Sequence, residues 1–129
     1  MLPIALIGYG HIGKRHAAVI RSIAGASLVA ICDEDASVNP AEEDKEIPWF
    51  TSIDALLRSG IEFELASIAT PNGFHEAHAL QFLQAGKHVL IEKPMALSSA
   101  GCNRIIHAAA HFNKQVFCCL LYTSPSPRD

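Results

Sequence analysis

Ile4-Ala5-Leu6-Ile7-Gly8-Tyr9-Gly10-His11-Ile12-Gly13-Lys14-Arg15-His16 is the stretch that decides the fold. Its first four residues form a continuous apolar run, the pattern of a strand buried on both faces of a parallel sheet, and the glycines that follow demand a tight turn. Beyond the turn, Ile12, His16, Val19, Ile20 and Ile23 recur at three- and four-residue steps, which predicts one buried face of a helix ending at Gly25. Leu28 to Cys32 is a second apolar strand that closes on Asp33, so the opening 33 residues read as a βαβ unit.

Strand and helix go on alternating downstream. Asp33 to Glu46 holds seven of the chain's thirteen acids and few large apolar groups, which predicts a solvated loop or a marginal surface helix. Trp49-Phe50 reads as a brief strand, and Thr51-Ser52-Ile53-Asp54 supplies cap chemistry for a short helix burying Ile53, Leu56 and Leu57 before Gly60. Leu65 to Ala69 is the next strand and Thr70-Pro71-Asn72-Gly73 a turn. Ala77, Leu80 and Leu83 then mark a helix face that stops at Gly86. His88 to Ile91 is a strand, Ser98 or Ser99 caps a helix with Ile105, Ile106, Ala109 and Phe112 inward, and Gln115 to Leu120 is a last strand. Parallel strands need crossover connections, so the alternation specifies an α/β fold: a doubly wound, mostly parallel Rossmann sheet with helices on both faces.

Composition narrows the function. At 129 residues, 50% hydrophobic and 18% charged, the chain has material for one such core. A formal charge of −3 and a pI near 6.1 lack the basic footprint of a nucleic-acid binder. No apolar run approaches the roughly 20 residues that span a bilayer, and no basic segment precedes Met1 to Gly10's apolar stretch. Cys32, Cys102, Cys118 and Cys119 show no CxxC spacing and have apolar neighbours, as expected of buried thiols in a reducing cytoplasm, with Cys118 and Cys119 on opposite faces of their strand.

The chemistry concentrates at strand ends. Gly8-x-Gly10-x-x-Gly13 lies between a predicted strand and a predicted helix, and Asp33 lies 20 residues past the third glycine. Gly8 makes the tight turn, Gly10 lets backbone approach a pyrophosphate, and Gly13 lets helix and strand pack closely, while the helix N-terminus receives the anion. Asp33 accepts from ribose hydroxyls and, with Glu34 and Asp35, repels a 2′-phosphate, so NAD is favoured over NADP. The glycines also fit a plain strand-to-helix turn, and a methyltransferase binding S-adenosylmethionine is a further alternative, although three glycines at this spacing suit a dinucleotide better. Lys93, in Glu92-Lys93-Pro94, follows a strand at its carboxyl end, where an ammonium stabilises developing alkoxide charge; a surface lysine is the plain alternative, and Pro94 suits a cis bond. His75 and His78 are three apart on one helix, but no further ligand is placed to complete a metal site, and packing is the reading for His16 and His78. His11, His88, His107 and His111 have no partner that spacing identifies.

Gly8-Tyr9-Gly10-His11-Ile12-Gly13-Lys14-Arg15-His16, Ala69-Thr70-Pro71-Asn72-Gly73-Phe74-His75 and Ala85-Gly86-Lys87-His88-Val89-Leu90-Ile91-Glu92-Lys93-Pro94-Met95 together resemble the Gfo/Idh/MocA oxidoreductases over about residues 1–119. The resemblance implies an N-terminal NAD(P)-binding Rossmann domain of enzymes that act on the hydroxyl or ketone of sugars, inositols and nucleotide sugars. It puts His11 and Ile12 with Gly8, Gly10, Gly13 and Asp33 in the cofactor set. It lines the groove with Thr70, Pro71 and Asn72, supports it with His75, places Glu92 and Lys93 by the nicotinamide, and makes Lys93 the catalytic lysine. It also implies a C-terminal domain that supplies a histidine, binds the substrate and forms oligomers. Residues 120–129 depart from this pattern; they resemble translated adapter sequence and are expected to be a disordered, non-native tail on a truncated chain. Such a chain is expected to be inactive alone, and a stand-alone dinucleotide-binding module is the alternative function.

Overall fold

Six parallel strands run β1 (Leu2–Ile7), β2 (Ala26–Cys32), β3 (Trp49–Phe50), β4 (Leu65–Ile68), β5 (His88–Glu92) and β6 (Val116–Cys119) along the chain. They lie in the order β3-β2-β1-β4-β5-β6 in the computed structural model, which describes residues 1–119 except Ala36 and Asn39. The expected strand residue Leu120 and the expected tail, 120–129, lie outside the described residues. The order reverses between β1 and β4, the place where open α/β sheets form their ligand crevice. Register aligns the strand ends there: Ile7 pairs with both Cys32 and Ile68, and Ile68 with Ile91. The next residues in each strand's path are Gly8, Asp33, Ala69 and Glu92, so one row of the sheet delivers four candidate positions to one rim.

Helix α1 (His11–Ser22) covers one face, over Leu6 and Ile31 through Ala17 and over Ile4 and Leu65 through Ile20. α2 (Ile53–Arg58), α3 (His75–Gln84) and α4 (Ser99–Phe112) share the other face, where Leu56, Phe82, Leu83, Ile105 and Ala109 pack on Ala5, Ile7, Ala66, Ile68, Val89 and Ile91. The expected doubly wound sheet with helices on both faces is therefore present. Ser52 caps α2 by accepting from Ala55 N (3.0 Å), and Ser98, not Ser99, caps α4 by accepting from Gly101 N (3.0 Å).

Several expected burials are corrected. α1 buries Gly13, His16, Ala17 and Ile20 and ends at Ser22, short of Gly25; Val19 and Ile23 are exposed beside an apolar groove of about 390 Å³. Ala17 takes the expected place of Val19 because a small residue lets α1 seat against Leu6 and Ile31. α3 buries His75, Ala79, Phe82 and Leu83, while Ala77 is exposed and Leu80 half-buried. Its stripe starts on a histidine, which an apolar count passes over. α4 turns Ile106 and Phe112 outward, and Cys118 is exposed. His88 has a partner after all: its Nδ1 accepts from Gln115 N at 2.9 Å. The acidic stretch is no uniform solvated loop, since Glu42–Asp44 forms a 3-10 turn with Asp44 buried.

Candidate functional site

The turn after β1 is made of space that side chains would fill. Gly8 has φ +96°, and a Cβ there would stand 2.8 Å from the backbone carbon and oxygen of Ala69. A Cβ on Gly13 would fall 2.0 Å from Gly8 O, so the third glycine is where α1 presses on the turn. Gly10 is different: nothing lies within 4 Å of a Cβ built on it. It is the N-cap of α1 and offers no side-chain cap, and no acid stands in the first turn. The N–H groups that open a helix lack intrahelical acceptors and carry partial positive charge, which suits an anion.

A cleft of about 560 Å³, of a size that holds a cofactor, opens at this rim. Gly8, Gly10, His11, Ile12 and Asp33 line it from the β1–β2 side, and Thr70, Pro71, Asn72, His75 and Glu92 from the β4–β5 side. Gly13 and Lys93 do not line it. Gly13 is buried in the packing contact just described, and Lys93 is exposed one residue past Glu92, followed by a cis bond to Pro94. Sequence reasoning missed Val38, Ile53, Phe74 and His78 as lining residues. The Phe74 and His78 rings stack at 5.6 Å, a four-residue helical spacing that was the available signal.

Asp33 is fastened to the turn. Its Oδ2 accepts from Tyr9 N (2.7 Å) and its Oδ1 from Asp35 N (2.8 Å), which fixes the carboxylate at the cleft's edge. Burial, with Asp33 and Glu34 adding to it, pushes the Cys32 thiol up to about 12, so it stays protonated beneath the cleft.

Buried histidines build the other end. Glu92 Oε2 lies 2.8 Å from His16 Nε2, and a carboxylate only accepts, so Nε2 donates; in the neutral ring Nδ1 then accepts from the Ser67 hydroxyl at 2.6 Å. His16 is thus packed and hydrogen-bonded, as expected, and it ties α1 to β4 and β5. His75 Nδ1 faces Pro94 O and its Nε2 faces Thr70 O, both at 2.7 Å, joining the Thr70 turn to the segment after β5. His78 Nδ1 stands 3.0 Å from Thr70 Oγ1. Burial holds the His78 pKa below its ordinary value, with Glu34 opposing and His75 reinforcing. The ring nitrogens of His75 point at carbonyl oxygens rather than at a shared site with His78. Among the described residues no group of three or more His, Cys, Asp or Glu is placed to hold a metal ion. Nor is any helix there long and apolar enough to cross a membrane.

The family profile described as "Oxidoreductase family, NAD-binding Rossmann fold", for Gfo/Idh/MocA, matches residues 2–119. Glucose-6-phosphate 3-dehydrogenase of Bacillus subtilis (strain 168) is 36% identical over 103 residues, which are 76% of this chain and 27% of that protein. UDP-N-acetylglucosamine 3-dehydrogenase of Acidithiobacillus ferrooxidans is 39% identical over 106 residues, 81% of this chain and 32% of that protein. Among solved structures, the WlbA dehydrogenase from Bordetella pertussis, in complex with NADH and UDP-GlcNAcA, superposes with a TM-score of 0.84 at 31% identity. That match covers 92% of this chain and 36% of the other. The chain spans about a third of the length of the curated relatives it matches. With the glycine turn and the fastened Asp33 at the sheet's rim and the family profile matching residues 2–119, the chain belongs to the Gfo/Idh/MocA oxidoreductase family, as its NAD-binding Rossmann fold.

Proposed function

We propose that this chain is the nucleotide-binding part of an oxidoreductase that moves hydride between NAD and the hydroxyl or ketone of a sugar, cyclitol or nucleotide sugar. The observation that carries it is the Gly8–Gly13 turn with Asp33 hydrogen-bonded to its backbone at the rim of the sheet. The residues fit the cofactor: Gly10 leaves a cradle that a Cβ would occupy, uncapped N–H groups open α1, and Asp33 offers acceptors at the cleft edge. When bound, NAD supplies a hydride acceptor or donor at its nicotinamide ring.

In this reading Gly8, Gly10, His11, Ile12 and Gly13 shape the pyrophosphate seat, Asp33 holds ribose hydroxyls and disfavours a 2′-phosphate, and Thr70, Pro71 and Asn72 flank the far end. His75 braces the Thr70 turn, and Glu92 orients the segment from which Lys93 projects. The Lys93 ammonium is the group that supports alkoxide charge as a substrate hydroxyl loses its proton. Substrate contacts and a catalytic histidine belong, by family resemblance, to a second domain, through which copies associate; the setting is cytoplasmic, with no nucleic-acid or membrane partner. The residues of this chain are expected to bind NADH.

Titration of the chain with NADH, followed by nucleotide fluorescence, tests this. Gly10→Ala is expected to weaken binding at least roughly ten-fold with an unchanged melting temperature, because the added methyl meets no protein atom but enters the cofactor's space. Asp33→Ala is expected to weaken NADH and narrow its preference over NADPH. Well-folded protein that shows no saturable NADH binding would sink the proposal.

A further inference from the structure

Tyr9 occupies the middle of the Gly8-x-Gly10 turn, a position that can take many residues, yet its side chain is fully buried. Its hydroxyl donates to Asp44 Oδ2 (2.5 Å) and accepts from Ala41 N (2.8 Å). The other Asp44 oxygen accepts from Arg21 on α1. The ring meets Trp49 edge-on with centroids 5.3 Å apart, and Val38 and Ile47 pack in the same cluster. Asp44 is 1% exposed in the most acidic part of the chain. A carboxylate loses its hydration there, and the Tyr9 and Arg21 donors offset that cost. Burial, reinforced by the Asp44 hydrogen bond, raises the Tyr9 pKa, which keeps the hydroxyl proton available for donation.

One residue therefore touches three parts of the nucleotide end. The Tyr9 backbone holds Asp33, its hydroxyl holds the segment around Ala41 and Asp44, and that segment returns Glu34, Asp35 and Val38 to the cleft wall. Asp35 is itself strung to Asp33 through its N–H and to Ser37 through its carboxylate. We propose that Tyr9, Asp44 and Arg21 form a clasp that positions this acidic wall, and so act as specificity-positioning residues that set the preference for a dinucleotide lacking a 2′-phosphate. The clasp works by distance: repulsion between the wall's carboxylates and a 2′-phosphate falls as the wall drifts outward, and an unclasped segment is free to drift. This rests on the cofactor reading above and adds residues that do not themselves touch the nucleotide.

Tyr9→Phe in the 129-residue chain isolates the hydroxyl, since the ring still packs on Trp49 and the backbone N–H still serves Asp33. Dissociation constants for NADH and NADPH are read by fluorescence at one ionic strength. The expected result is NADH binding weakened roughly five-fold and the NADH-over-NADPH preference reduced at least three-fold. Loss of hydrogen-exchange protection at the Ala41 amide should accompany it. Asp44→Asn, which keeps the shape but not the charge that holds Arg21, is expected to move the preference the same way and serves if Tyr9→Phe does not fold. A plain loss of stability lowers the melting temperature without moving the ratio, so an unchanged ratio in a folded variant overturns the clasp. Wild-type chain that is folded but binds neither nucleotide overturns the cofactor reading and the clasp with it.

Discussion

The two ends of the cleft are built by different means. The glycine side is backbone and empty space: three glycines, two of which leave no room for a Cβ against neighbouring backbone, and an uncapped helix start. The opposite end is built by buried side chains, with His16 joining α1 to Ser67 and Glu92, and His75 joining the Thr70 turn to Pro94. The contact of Gly13 with Gly8 is specified within six residues of sequence, whereas the His16 network spans separations of 51 and 76 residues. The first kind fails through overlap and the second through unpaired polar groups, and the two failures have different sizes and symptoms.

Gly13→Ala should give the largest effect. Its Cβ would overlap Gly8 O at 2.0 Å, and neither backbone can move without displacing α1 from β1. A loss on the order of 3 kcal/mol or more is expected, read as a large fall in urea midpoint together with loss of NADH binding. Paired with Gly10→Ala, which should lose affinity and keep stability, it breaks the comparison within one motif. If both glycines lost stability equally, the turn would not be divided into a packing half and a cofactor half.

His16→Leu comes next. A side chain of similar bulk leaves Ser67 and Glu92 without their partner, at an expected cost of about 2–3 kcal/mol. Glu92→Gln should cost less, because its amide oxygen still accepts from Nε2. NADH affinity of the folded His16→Leu protein should change less than in Gly10→Ala, since Gly10 lines the cleft and His16 does not. A His16→Leu protein as stable as wild type in urea would show that the network does not hold the far end.

The same contrast explains what the sequence could disclose. The glycine spacing, Asp33 and the strand rhythm are local patterns, and each appears in the fold where the residues predicted it. The cleft's remaining wall was hidden for a physical reason. Val38 and Asp44 sit in a stretch whose charge reads as solvated, and only Tyr9 and Arg21, brought in from β1's turn and α1, draw Asp44 inside. The helix faces misread for a related reason. The α3 stripe opens on His75, which is polar by composition yet fully buried because the Thr70 turn and the segment after β5 supply its partners. Apolar periodicity counts Val19 and Ile106 as core, but whether they are covered depends on what packs above them, which periodicity does not encode.

The smallest expected effect is a pH dependence at the histidine end. His78 has its pKa held below the ordinary 6.5 chiefly by burial, so the folded chain favours the neutral ring, which shares a hydrogen bond with the Thr70 hydroxyl. The unfolded chain therefore binds the proton first as pH falls, and stability present above about pH 6.5 should decline below it, down through the lowered folded-state value. Carboxylates titrate at lower pH, so the informative quantity is the difference between wild type and His78→Gln, which cannot take up that proton. Their melting temperatures should converge as pH drops from 7.5 toward 5.5, on the order of a degree or two for so modest a shift. Parallel curves would mean that His78 titrates alike in folded and unfolded chain. Convergence would place the acid sensitivity of the cleft at the Thr70 turn.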